Sequence, residues 1–283
     1  MSQKEEIRQL EYIAAQTRKT LLEVIYRAKG GHIGGGLSSL NMLVALYFHT
    51  LKVDPENPHK EGRDRFIMSK GHCVEALYSV LHARGFISSE LLNTYGSRGS
   101  LLAGHPTVKV PGVEVNTGAL GHGLSIGVGL AIAAKMDEKN YKTYVLMGDG
   151  EQGEGSVYEA AMAAHQYKLN NLVAIMDRNG LQISDTTEKV MSLEPVSQRW
   201  NALGWEVCEI NGDNMQEIVE TLDNIDFADS RQPHLIVSKT TKGKGISFME
   251  NVLKWHHGVP KEAEYREALR ELEANINEIN DKK

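Results

Sequence analysis

The sequence predicts an α/β fold, a doubly wound and mostly parallel sheet with helices on both faces, on three observations. Short apolar runs of strand length recur at Phe66–Ser69, Tyr144–Met147, Leu172–Met176 and Leu235–Ser238. Helical stretches separate them, and strands alternating with helices are the pattern of a parallel sheet. Between the second and third runs stands Gly148-Asp149-Gly150, a turn where a strand passes into a helix. No repeat or low-complexity linker divides the chain, so residues 1–283 are read as one domain.

The elements follow in order. Ile7, Leu10, Ala14, Thr17, Leu21 and Val24 recur at helical spacing and predict an amphipathic helix over about 3–28. The glycine-rich run from Gly30 to Gly36 then breaks it, and Ser38 or Ser39 can cap a second helix ending near Phe48. The strand at Phe66 ends on Lys70-Gly71-His72, and a helix continues through Arg84. Residues 96–122 are glycine-rich and irregular, and small residues then form a helix to Met136. An Ala-rich helix joins the strand at Tyr144 to the strand at Leu172, which ends on Asn179. A helix near 194–203, a strand near 205–210, a helix near 214–227 and the strand at Leu235 complete the alternation. Pro260 takes the first helical position of a strongly charged terminal helix, where its missing N–H is not needed.

The chemistry gathers around the Gly-Asp-Gly turn. Asp149 supplies an anionic oxygen and Asn179, thirty positions later, a neutral one at the same edge of the sheet. Hard oxygens of this kind suit Mg²⁺. Gly148 and Gly150 let the backbone approach a ligand closely, and the following helix aims free N–H groups at the spot, which favours a diphosphate. An Asp-Gly pair alone is ordinarily a turn. Its setting is what points to a ligand, because open α/β sheets bind at the carboxyl ends of their strands. A dinucleotide fingerprint fits less well, since no Gly-x-Gly-x-x-Gly lies between a strand and a helix.

Four of the eleven histidines, His32, His72, His105 and His122, follow a glycine, and His257 precedes one. Singly each reads as a loop or capping residue. Together, in loops expected at one sheet edge, they predict a polar cleft that binds hydroxyls and moves protons. The net charge of −6, without a block of Lys and Arg, argues against nucleic acid as a partner. Two cysteines form no disulfide framework, the N-terminus lacks an apolar signal core, and no apolar run approaches a membrane span. These features predict a cytoplasmic protein with no membrane partner.

Several of these motifs resemble those of a known family. Gly148-Asp149-Gly150 followed by Asn179 is similar to the diphosphate-binding signature of thiamine diphosphate enzymes. Gly104-His105-Pro106, Thr117-Gly118-Ala119-Leu120-Gly121-His122-Gly123, Ser69-Lys70-Gly71-His72, Lys239-Thr-Thr-Lys242-Gly-Lys-Gly and Trp255-His-His257-Gly resemble transketolase blocks, over nearly the full chain. The resemblance implies the pyrophosphate-binding, N-terminal part of a transketolase, with the thiamine diphosphate-binding fold. It implies thiamine diphosphate and Mg²⁺ as cofactors, the metal held by Asp149, Asn179 and the carbonyl of Leu181. His72, Gly150, Asn179, Lys242 and His257 would contact the diphosphate, and Gly118, Ala119 and Leu120 would pass beside the aminopyrimidine. His32, His105 and His257 would line the channel for sugar phosphates and act as catalytic residues. Glu154 matches a glutamate of the subunit contact. His122 departs from the usual Gln, Gly35 from a substrate-touching Ser in some members, and His256 competes with His257 for its role.

The family's activating glutamate and its pyrimidine-binding domain have no counterpart before Lys283. The expectation is therefore one half of a split transketolase, active only with a separately encoded C-terminal subunit in an α2β2 assembly, transferring a two-carbon unit between sugar phosphates. Two alternatives are the α subunit of a 2-oxo acid dehydrogenase, which shares the Gly-Asp-Gly…Asn pattern, and a catalytically silent scaffold subunit.

Overall fold

The computed structural model describes residues 2–228 and 230–281. Met1, with which the expected signal-free N-terminus begins, and the closing Lys282-Lys283 lie outside the described residues.

Helix α1 spans Gln3–Ala28, opened by a capping box in which Ser2 and Glu5 bond each other's backbone N–H groups. Helix α2 covers Ile33–Ala45 and runs into a π-helical turn, Leu46–Thr50. Strand β1 is Arg65–Met68, followed by a short 3₁₀ turn, helix α3 (Val74–Arg84) and one turn of helix, α4 (Ser89–Leu92). Helix α5 (Gly123–Met136) leads to β2 (Thr143–Gly148), α6 (Gly155–Gln166) and β3 (Leu172–Arg178). The remainder is α7 (Thr187–Val190), α8 (Val196–Ala202), β4 (Glu206–Asn211), α9 (Met215–Asp223), β5 (His234–Lys239) and α10 (Glu262–Asp281).

The five strands form one sheet in the order β1-β2-β3-β5-β4, and every ladder is parallel. Alternate strand residues feed two cores. Tyr144, Leu146, Val173, Ile175 and Ile236 pack with α1, α2, α3, α9 and α10, while Val145, Met147, Ala174, Met176 and Val237 pack with α5, α6 and α8. Period-two side-chain direction thus turns an almost wholly apolar strand into the middle layer of a three-layer sandwich. Among the described residues no helix is long and apolar enough to cross a membrane.

Three local expectations are corrected. The break between α1 and α2 is confined to 29–32 and takes in only Gly30 and Gly31 of the glycine run: Gly34, Gly35 and Gly36 lie inside α2, and Ser38 and Ser39 are its interior residues, not its cap. Packing overrides the glycines' low helix propensity. A Cβ on Gly34 would meet the Trp255 carbonyl at 2.6 Å, one on Gly35 would meet Cys73 Sγ at 2.8 Å, and one on Gly36 would meet Leu21 at 3.1 Å. Bare backbone here lets α2 lie flush against its neighbours. Both serine hydroxyls bond back to the Gly35 carbonyl, as buried helical serines do. Second, α10 begins at Glu262 and the Tyr265 amide bonds the Lys261 carbonyl, so Pro260 precedes the helix instead of occupying its first turn. Third, α9 ends at Asp223, short of the expected 227.

His49 ties α9 to α1. Its Nδ1 meets Glu6 Oε1 at 2.8 Å and its Nε2 meets Asp223 Oδ1 at 2.7 Å. Burial pulls this imidazole down, but the two carboxylates outweigh burial and raise it above its ordinary value. A raised folded-state value stabilises fully below the unfolded value, near ~6.5, and the gain is lost as pH rises through the folded value. Thermal melts of the wild type and His49→Gln should therefore differ most at acidic pH and converge above neutrality. A difference that grows with pH would contradict this.

Candidate active site

The carboxyl ends of β1, β2, β3 and β5 converge with the start of α2 on a cleft of about 510 Å³. This is the sheet edge at which ligands of open α/β folds bind. Its floor is set by one buried carboxylate. Asp177, at the end of β3, forms an ion pair with Lys70, and both side chains are 2% exposed. It also accepts hydrogen bonds from Ser38 at 2.7 Å, from Asn179 Nδ2 at 3.0 Å and from Thr240. Burial opposes both charges, but their mutual attraction holds Asp177 below the usual carboxylate range and Lys70 above the usual lysine range.

That network orients the candidate metal ligands. With its NH₂ committed to Asp177, Asn179 turns its Oδ1 the other way, where it accepts from the Leu181 amide at 3.2 Å. Asp149 is 3% exposed; its Oδ2 accepts from Arg178 at 3.1 Å, the Gly180 amide at 2.7 Å and Thr187 at 3.1 Å. Its Oδ1 accepts from the Gly150 amide at 2.7 Å. Burial, then Asp177, raises this carboxyl despite those donors, so a cation would relieve it. No group of three His, Cys, Asp or Glu side chains gathers as a metal site among the described residues. A metal here would bind one carboxylate, one amide oxygen and the Leu181 carbonyl, a donor set that suits a Mg²⁺ completing its octahedron with phosphate and water.

The cleft also fits a polyanion. Lys242 is 2% exposed, its ammonium donates to the Leu181 carbonyl at 2.8 Å, and it meets His256 Nδ1 at 2.8 Å. Among the described residues no carboxylate pairs with it, and burial, then Lys70, pushes it down. A buried ammonium without a counter-ion is a seat for one. His72, Gly118, Leu120 and Gly150 share this cleft, while Ala119 is exposed beside it. The turn after β2 is a 3₁₀ turn, Gly150–Gly153, and not yet the α-helix, which starts at Gly155. Its Glu151, buried, accepts from Ser69, from the Gly121 amide at 2.8 Å and from the Gly148 amide at 3.1 Å, pinning the 117–123 loop to the sheet edge.

The histidines divide into two groups that share His32. On the cleft side, ring centres of His32 and His72 lie 5.1 Å apart, and those of His72 and His256 5.9 Å. On the other side, His257 lies 4.6 Å from His32 and lines a neighbouring cavity with His105. His256, not His257, thus stands in the cleft beside Lys242. Burial is the main force that drives His32 down to about 4, His256 to about 3 and His72 to about 2. Neighbouring imidazoles and Lys242 add to it, so these three are neutral at pH 7. His122 is exposed at the start of α5, its Nδ1 3.0 Å from the Leu120 carbonyl, and Glu154 stands exposed at the cleft mouth.

Residues 10–278 match the family described as transketolase, thiamine diphosphate binding domain. The chain belongs to the transketolase family. It is 61% identical over 274 residues to a subunit of the apulose-4-phosphate transketolase of Phocaeicola vulgatus, covering 97% of each chain. It is 40% identical to the 6-deoxy-6-sulfo-D-fructose transketolase subunit SqwG of a Clostridium species, over 93% of this chain and 96% of that one. The solved transketolase of Leishmania mexicana superposes with a TM-score of 0.85 at 28% identity. That alignment takes in 96% of this chain but only 45% of the Leishmania chain. The predicted α/β fold is that of the transketolase N-terminal domain.

Sequence reasoning missed Lys70, Asp177 and Glu151, and it preferred His257 to His256 for the place beside Lys242. Charged residues at strand ends beside a glycine turn were the available signal, since a charge there is buried only with a partner. Replacing Lys70 by Met leaves Asp177 buried without its counter-ion. It should cost about 3–5 kcal/mol in denaturant unfolding. A loss below about 1 kcal/mol would show that the hydroxyl donors alone satisfy the carboxylate.

Proposed function

We propose that this chain is the thiamine diphosphate-binding subunit of a two-subunit transketolase. With a separately encoded subunit carrying the pyrimidine-binding domain and activating glutamate, in an α2β2 assembly, it moves a two-carbon ketol unit from a ketose phosphate to an aldose phosphate. The observation that carries the reading is the convergence of Asp149, Asn179 Oδ1, the Leu181 carbonyl and the unpaired Lys242 on one cleft. Subunit-length relatives named as transketolase subunits support the split organisation. The 61% identity to the Phocaeicola protein makes apulose 4-phosphate the first donor to test.

When bound, thiamine diphosphate would supply the carbon nucleophile and the electron sink. Asp149, Asn179 and the Leu181 carbonyl would hold its Mg²⁺, and Lys242, which donates to that carbonyl, would pair with the diphosphate. His72, His256 and Gly150 would contact the phosphates, and Gly118, Ala119 and Leu120 would flank the pyrimidine. His32, neutral near pH 7, can accept one hydroxyl proton and donate its own to another oxygen. His105 and His257 would orient the sugar and carry the proton released as the C2–C3 bond breaks.

Three outcomes check this. Asp149→Ala should abolish Mg²⁺-dependent cofactor binding by the reconstituted complex in calorimetry, and unchanged affinity would remove Asp149 from the metal site. The purified chain alone should show no ketol transfer, and mixing it with the partner subunit should restore it. In that mixture His32→Ala should lose roughly 10²–10⁴ in kcat; steady turnover without a partner would defeat the split-subunit reading.

A further inference from the structure

We propose that Arg178 is a positioning residue of the candidate metal site. It holds Asp149, and the loop 180–194 that carries the Leu181 carbonyl, in place before any cation arrives. The inference rests on the magnesium diphosphate reading above and deepens it by naming what sets the geometry of two of the three metal donors.

Arg178 is the last residue of β3, and its side chain is 11% exposed. One guanidinium nitrogen, Nη1, donates to Asp149 Oδ2 at 3.1 Å. The other, Nη2, donates to Glu188 Oε1 at 2.7 Å and to Glu194 Oε1 at 3.2 Å. A rigid, many-donor fork suits the joining of separate carboxylates. The two glutamates in turn tie their own stretch of chain. Glu188 accepts from the Ser192 hydroxyl at 2.7 Å and the Leu193 amide at 3.3 Å, and Glu194 accepts from the Val196 amide at 3.2 Å. The near end of the loop is fastened to the same aspartate, since the Gly180 amide and the Thr187 hydroxyl both donate to Asp149 Oδ2. The Thr187 amide also bonds the Gly180 carbonyl at 2.9 Å, and Leu181 bridges to Thr186. The loop is thus closed on Asp149 at one end and on Arg178 at the other.

This arrangement has two consequences for a cation. A carboxylate oxygen offers two lone pairs, and Oδ2 already takes three donors, from Arg178, Gly180 and Thr187. Oδ1 takes one, from the Gly150 amide, so it is the oxygen with a lone pair to offer. Leu181 and the cleft-lining Gln182, Ile183 and Ser184 belong to the loop itself, so the place of the Leu181 carbonyl depends on how firmly the loop is closed. The side chains of Glu188 and Glu194 are 39% and 59% exposed, and exposed ion pairs alone hold weakly. A largely buried guanidinium that joins both to a buried carboxylate gives them a firmer anchor. Three carboxylates share that one guanidinium, so a divalent cation at Asp149 adds charge the cluster lacks and need not displace Arg178.

The test reads loop closure and cation binding separately, in the wild type, Arg178→Gln and Arg178→Lys. Amide hydrogen exchange is followed on the full chain without cofactor. Binding of Mg²⁺ with inorganic pyrophosphate is measured by calorimetry on the two-subunit complex. Arg178→Gln should speed exchange over 180–194 about fivefold and leave β1 and β2 unchanged. It should weaken magnesium pyrophosphate binding by about 10–100-fold, as loss of an outer partner of a metal ligand does. Arg178→Lys keeps the charge but not the fork, and should behave like Arg178→Gln. Wild-type exchange and affinity in Arg178→Lys would overturn the bridging role. So would tighter binding in Arg178→Gln, the result expected if Arg178 merely competed with the cation. Faster exchange throughout the sheet would show a general support of the fold instead of a positioning role. Failure of the wild type to bind magnesium pyrophosphate would overturn the diphosphate reading and this role with it, whereas an unchanged affinity in Arg178→Gln overturns the role alone.

Discussion

Ser38 from α2, Lys70 from the end of β1, Asn179 just beyond β3 and Thr240 just beyond β5 all donate to one carboxylate, Asp177. The site depends on this buried charge because its donors come from separate parts of the chain and all four meet on it. An isolated carboxylate would not survive so deep in the protein. Paired with Lys70 and saturated by hydroxyl and amide donors, it becomes a fixed point. Its consequence for chemistry runs through Asn179. A side-chain amide can face either way, and the bond from Nδ2 to Asp177, with the Leu181 amide on the other side, aims Oδ1 away from the carboxylate. The proposed metal-binding geometry would thus be decided by a residue that touches no ligand, as outer partners commonly decide it.

The same network sets the charge balance of the cleft. Lys70 is neutralised by Asp177, and Asp149 is partly neutralised by Arg178, whose other bonds reach Glu188 and Glu194. Lys242 is left over. Its depressed proton affinity measures how badly a buried ammonium needs an anion, and the raised Asp149 how badly its carboxyl needs a cation. The magnesium diphosphate we propose would answer both at once, with the negative group on Lys242 and the positive one on Asp149. Ligand and fold are therefore coupled, since whatever binds the folded cleft and not the unfolded chain stabilises the fold.

Much of this was legible in the sequence, and the rest was not, for identifiable reasons. Strand positions, the Gly-Asp-Gly turn and the glycine-flanked histidines follow from local pattern, and local pattern determined the α/β sandwich. The Gly34-Gly35-Gly36 run misleads because helix propensity argues against a helix there, and only the Trp255 carbonyl and Cys73 across the interface explain the missing side chains. Asp177 and Lys70 lie 107 positions apart, and an ion pair across that separation has no signature in one sequence. His256 and His257 are adjacent, so spacing cannot rank them. The direction of the chain after the 3₁₀ turn at Leu253–Trp255 separates them in space.

That separation bears on how the reaction is divided. A turn places consecutive side chains on different sides, so His256 enters the cleft beside Lys242 and His257 enters the neighbouring cavity with His105. His32 stands between them, 5.7 Å from one ring and 4.6 Å from the other. Three half-buried imidazoles packed this closely disfavour charge on one another, and burial is the main force that lowers all three. Neutral rings would bind diphosphate oxygens and sugar hydroxyls as hydrogen-bond donors without competing with Lys242 for the anionic charge. In the reaction we propose, His32 would exchange protons with the sugar hydroxyls at the junction of the two spaces, and the more exposed His105 and His257 would stand on its solvent side.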